Sequence, residues 1–166
     1  MYSAVIGIDP GLSGGIAVIR NPNQVDAIPI PATEGDLDVY KIWNWVGYRA
    51  SPYSPVEEWN AIAYIEAVHA MPGQGVSSVF KFGYVTGILH GVIRAMKIPL
   101  KLVTPQAWKK EILAGTAKDK QAAIDYCLRV YPNVKLIATD RSRTYHSGMA
   151  DALCIAEYGY RKENNG

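Results

Sequence analysis

Three acids in this chain stand where a carboxylate is costly unless something compensates it. Asp9 ends the apolar run from Ser3 to Ile8 and is followed by Pro10 and Gly11. Glu66 ends the run from Ala61 to Ile65, and Asp151 is set among Met149, Ala150, Ala152, Leu153 and Ile155. Taken singly, a strand-ending Asp can form a turn, a terminal Glu can find one partner, and a lone helical Asp can be a satisfied cap. As a set, the three share one explanation. Carboxylates gathered at one place repel and shift each other's pKa unless a cation neutralises them. Oxygen donors suit Mg2+ or Mn2+, and two such ions about 4 Å apart can activate a water and stabilise the leaving oxygen in phosphodiester cleavage. The expectation is a divalent-metal site made by Asp9, Glu66 and Asp151.

The elements that must position these acids follow from periodicity and punctuation. Ser3–Ile8 and Ile16–Ile19 read as strands. Asn21-Pro22-Asn23 is a hairpin turn into a third strand, Val25–Ile30, with Pro29 marking an edge. Asp38–Val46 has helical spacing, Ser51–Pro55 is a loop, Ala61–Glu66 is a buried strand, and Met71–Gly75 is a loop. Val76–Lys97 reads as one long helix on which Gly83, Gly87, Gly91 and Ala95 share a face. Glycine costs about 1 kcal/mol per site in a helix interior, so that row signals close approach, either to the domain's own sheet or to another subunit. Of Phe80, Phe82 and Tyr84 on the same helix, at least two are expected in the core. Leu100–Val103 is a strand, and Thr104 with Pro105 opens a helix to about Leu113. Thr116 to Asp119 fits a capping box in its aspartate form for a helix to about Val130. Tyr131–Thr144 is irregular, and a last helix spans Ser147–Tyr160 ahead of a charged tail, 161–166, expected to fray. The order βββαβαβααα implies an α/β fold: one mixed sheet flanked by helices in a single domain, 1–160, with no internal repeat or linker.

Composition narrows the function classes. The chain has 166 residues, 49% of them apolar and 19% charged, an ordinary globular domain. No stretch is expected to reach the roughly 20 apolar residues of a membrane span, and Asp9 interrupts the only apolar run where a signal peptide would need one. A cytoplasmic protein, in a bacterial cell or a phage-infected host, is expected. Cys127 and Cys154 lie in apolar periodic segments and read as small core residues, with no zinc spacing around them. Net charge is +2, yet Asp26–Glu66 holds seven acids and two bases while Lys81–Tyr131 holds nine bases and three acids. Such a local basic excess suits a nucleic-acid surface or a set of solvated helix faces.

At this point the motifs resemble a family. Ile6-Gly7-Ile8-Asp9-Pro10-Gly11 resembles the opening strand of RuvC-type Holliday junction resolvases, Ile65-Glu66-Ala67-Val68 their second acidic motif, and Ala150-Asp151-Ala152-Leu153-Cys154-Ile155-Ala156 their closing helix. The match runs over nearly the whole chain, and its compact length is similar to phage-encoded members. The resemblance implies an RNase H-like fold, a homodimer with two active sites, and paired nicks across a four-way DNA junction. It implies no membrane and no nucleotide cofactor. Asp9, Glu66 and Asp151 become ligands of Mg2+, for which Mn2+ can substitute, with two ions per site. The family's usual fourth ligand precedes the last acid by three or four positions, here Gly148 and Ser147, so His146 is the nearest candidate as ligand or water-positioning base. The resemblance also implies phosphate-binding lysines: Lys109 and Lys120 with catalytic roles, and Lys110 and Lys118 as DNA contacts. His69 takes the place of an aromatic that wedges the junction open in some resolvases, with Met71 beyond it.

Other readings stay open on the sequence. Ile6–Gly15 also resembles the first phosphate loop of the actin and sugar-kinase superfamily, which needs two such domains to enclose ATP. A junction-binding protein without catalysis, or an RNase H-like nuclease for flaps, forks or hybrids, carries much the same signature.

Overall fold

A computed structural model describes residues 2–50, 60–67, 69, 73–117 and 119–164. Strand β1 (Ala4–Asp9) is the spine of the sheet, buried along nearly its whole length. It pairs antiparallel with β2 (Gly15–Asn21) and parallel with β6 (Ala61–Glu66). β3 (Gln24–Pro29) extends one edge antiparallel to β2, and β7 (Leu100–Val103) extends the other parallel to β6. The five strands lie in the order β3-β2-β1-β6-β7. A short hairpin, β4 (Ala32–Thr33) with β5 (Asp36–Leu37), was not expected. It turns at Glu34 and Gly35, both with positive φ (54° and 83°), the backbone that a tight two-residue turn requires.

Side chains alternate between two cores, as a pleated sheet covered on both faces demands. Val5, Ile62, Tyr64 and Val103 face one side with α3 (Pro105–Ile112), α4 (Gln121–Val130) and α5 (Ser147–Asn164). Ile6, Ile8, Ala63 and Ile65 face the other with α1 (Val39–Ala50) and α2 (Val76–Ala95). α5 lies almost on the backbone of β1. A Cβ at Gly7 would sit 2.1 Å from the carbonyl oxygen of Ala152, and one at Gly148 would sit 2.3 Å from that of Ser13. Only glycine permits this approach, and it fixes where Asp151 stands relative to the end of β1.

The expected order of major elements and the mixed sheet are found. Three local readings change. Asp119 alone caps α4, its Oδ1 accepting from the backbone N–H of Gln121 and Ala122, while Thr116 turns away to donate to the carbonyl of Leu113. α5 continues a turn beyond Tyr160, because Arg161 pairs with Glu157, Lys162 with Glu111, and Glu163 with Lys101 and Tyr64. Phe80 (75% exposed) and Tyr84 (49%) are outside the core, and Phe82 is half-buried, because the apolar stripe that packs α2 inward is Val85, Leu89, Val92 and Ile93.

The glycine row of α2 settles against packing on the domain's own sheet. Among the described residues nothing lies within 4 Å of a Cβ built at Gly83, Gly87 or Gly91, and all three are exposed. α2 is also long and apolar enough, by length and composition, to cross a membrane, contrary to the expectation that no stretch is. Its Val, Ile, Leu and Phe residues and few charges produce that profile, while its buried stripe belongs to the domain's core. Cys127 and Cys154 are buried free thiols with Sγ atoms 3.7 Å apart, as expected of core residues.

Candidate active site

Two of the three acids are brought together by strand register alone. Ile8 pairs with Ile65, so Asp9 and Glu66 end adjacent parallel strands side by side, strands that run about 4.8 Å apart. By alternation both side chains fall on the face covered by α3, α4 and α5. The third arrives from that covering layer, since Asp151 immediately precedes Ala152, the residue whose carbonyl lies over Gly7. Opposite the acids, α3 contributes Lys109. Thr104 fixes the start of that helix, its Oγ1 accepting from the N–H of Ala107, with Pro105 in the first turn.

Electrostatics link these four side chains. The Asp9 carboxyl is pushed up to about 8, first by burial, then by the negative charges of Asp151 and Glu66, with Lys109 opposing. Asp151 is pushed up to about 6 by burial, while Lys109 lowers it and Glu66 raises it. Glu66 receives a hydrogen bond at Oε1 from the indole N–H of Trp108, at 2.8 Å. Among the described residues, no group of three or more His, Cys, Asp or Glu side chains is already drawn closely enough to hold an ion between them. The donor set nonetheless suits a hard divalent cation. It is all oxygen, and Asp9 holds its proton to about pH 8, which is how carboxyls behave when a neutralising charge is what they lack.

Lys109, Lys110 and Lys120 line one open groove of about 910 Å³, with Asp151 at its edge and the Gly115–Thr116 turn in its wall. Lys118 and Met71 lie outside the described residues. His69 is exposed, three residues beyond Glu66. His146 immediately precedes α5. Its Nδ1 accepts from the backbone N–H of Met149 at 3.2 Å, capping α5, and burial lowers its pKa, keeping the ring neutral. One residue at the site escaped the sequence reading. Trp108 is fully buried, and a buried indole needs an acceptor for its N–H, but sequence does not say which.

No protein-family model and no curated protein matches the chain. Solved structures do. RuvC of T. thermophilus in complex with a Holliday junction substrate superposes with a TM-score of 0.63 at 15% identity, over 99% of this chain and 97% of that one. A second Thermus thermophilus RuvC structure gives 0.56 at 17%, over 98% and 96%. The yeast mitochondrial Holliday junction resolvase gives 0.56 at 13%, over 95% of this chain and 77% of that one. At these identities the likeness is one of fold. The chain has the RNase H-like α/β fold of the RuvC resolvases.

Proposed function

We propose that this protein is a divalent-cation-dependent endodeoxyribonuclease that resolves four-way DNA junctions by paired phosphodiester hydrolysis. The observation that carries the reading is the electrostatic coupling of Asp9 and Asp151 to Glu66 and Lys109, with Asp151 and Lys109 lining a basic groove, on a fold whose solved examples include a RuvC bound to a Holliday junction. The three carboxylates would hold Mg2+ or Mn2+, two ions per site, and the bound cations supply the charge that activates water and stabilises the leaving oxygen. Lys109 offsets the acids' charge where a phosphate must approach. Lys120 and Lys110 hold the strand along the groove, with Lys118 beside them in sequence, and His69 is placed to stack on an opened base. Paired nicks need two active sites. The open glycine face of α2, flanked by exposed Val76 and Phe80, is the surface proposed to meet a second copy.

The test is incubation of a synthetic immobile four-way junction, beside plain duplex, flap and fork, with Mg2+ or Mn2+. The reading expects symmetric nicks in the junction strands and little cutting of duplex. Preferential cutting of flaps, forks or hybrids would assign the site to another branched substrate. One second reading has its own observation: with His146 committed to capping α5 and no fourth carboxylate before Asp151, a junction-binding protein that leaves the junction whole is the alternative outcome.

A further inference from the structure

Among the described residues Trp108 is the largest fully buried side chain, yet it donates to one of the acids. It belongs to the core between the sheet and α3–α5, and its two ends engage opposite charges. The indole N–H donates to Glu66 Oε1 at 2.8 Å. The ring face lies under the Lys109 ammonium, 5.2 Å from the centroid, within the reach of a cation–π contact. Lys109 in turn acts on Asp9 and Asp151.

We infer that Trp108 is a positioning residue, whose indole fixes the carboxylate of Glu66 and the ammonium of Lys109 so that both face one cation site. This inference rests on the proposed nuclease reading and deepens it. The chemistry favours an indole for the task. An indole N–H is a donor only, so it can hold one carboxylate oxygen without competing as a ligand, and it leaves Oε2 for a cation. A hydrogen bond to an ionised acceptor is stronger than one between neutral groups. Rigid burial gives the donor a fixed direction, as groups behind metal ligands require. Trp108 and Glu66 are 42 residues apart, so α3 and the end of β6 are tied directly through the site.

The test compares Trp108→Phe with the wild-type protein. Phenylalanine keeps an aromatic ring in the core and a face for Lys109 but removes the donor. Mn2+ affinity, followed by electron paramagnetic resonance without DNA, is expected to weaken about tenfold. Junction binding in EDTA should stay unchanged, and excess Mn2+ should restore cleavage. A residue that only fills space would lose stability and leave Mn2+ affinity alone, so equal affinity in the two proteins overturns the inference. Should Trp108→Phe not fold, the wild-type indole signals decide. On titration with Mg2+, the Trp108 N–H resonance should move while those of Trp43 and Trp45 stay; a Trp108 signal that stays still while amides near Asp9 move overturns it. A wild-type protein that binds neither ion overturns this inference and the nuclease reading together.

Discussion

The two faces of the sheet are built differently. Against α5 the packing is so close that backbone meets backbone at Gly7 and Gly148, and polar groups are buried in satisfied networks. Glu157, buried on α5, is held by the hydroxyl of Tyr131 and by Arg161, and Arg161 also donates to Tyr126. Against α1 and α2 the inner layer is aliphatic, and the outer side of α2 is left open along its glycines. The acids all lie on the first face. Chemistry that depends on the distance between carboxylates needs a layer whose position cannot drift, whereas the face proposed above to meet a second copy needs room for close approach.

The largest effect expected from breaking this arrangement is loss of cleavage in Asp9→Asn. Junction binding should persist or tighten, because the variant removes a negative charge that repels DNA. Cleavage at an undiminished rate would remove Asp9 from the chemistry. Next come the glycines, which compare the two faces directly. Gly7→Ala forces α5 off β1 and should cost about 3 kcal/mol, lowering Tm by roughly 6–12 °C. Gly87→Ala meets open space and should raise helix stability by up to about 1 kcal/mol. Thermal melts of the two variants check this, and a similar loss in both would erase the distinction. Gly87→Leu should instead weaken dimerisation in sedimentation runs while leaving the domain folded.

Much of this was legible in the sequence because it is local. The bounds of β6 and β7 agree with the expected runs because each is a short apolar segment between breakers, and Thr104-Pro105 marks a helix start by chemistry confined to four residues. The acids were legible because each sits in an apolar context it would otherwise leave. What sequence could not supply depends on distant partners. α5 extends beyond Tyr160 through ion pairs with Glu111 and Lys101. The acceptor of Trp108 lies on another strand. Which side of α2 faces inward was misjudged at Phe80 and Tyr84 because aromatics, glycines and aliphatics alternate around the whole helix. That the Nδ1 of His146 accepts from the N–H of Met149 at the start of α5 is likewise a matter of geometry.

Smaller effects sharpen the picture. Lys120→Ala should slow cutting about a hundredfold if it supports the transition state, with only a slight loss of junction affinity; equal losses in both would make it a plain phosphate contact. The acids also predict a pH dependence. In the folded, metal-free protein Asp9 keeps its proton to about pH 8 and Asp151 to about pH 6, whereas an unfolded chain releases such protons near pH 4. Between those limits the folded state binds more protons, so stability falls as pH rises. Asp9→Asn should flatten that slope in EDTA, as should saturating Mg2+ with the wild-type protein. Melts across pH 5–9 check it, and parallel slopes in all three would contradict it.

The most direct measurement is anomalous diffraction from crystals soaked in Mn2+. A Mn2+ peak bridged by oxygens of Asp9, Glu66 and Asp151, and absent in Asp9→Asn, is the predicted result. Carboxylates that stay apart in soaked crystals, with Mn2+ bound elsewhere or nowhere, would contradict it.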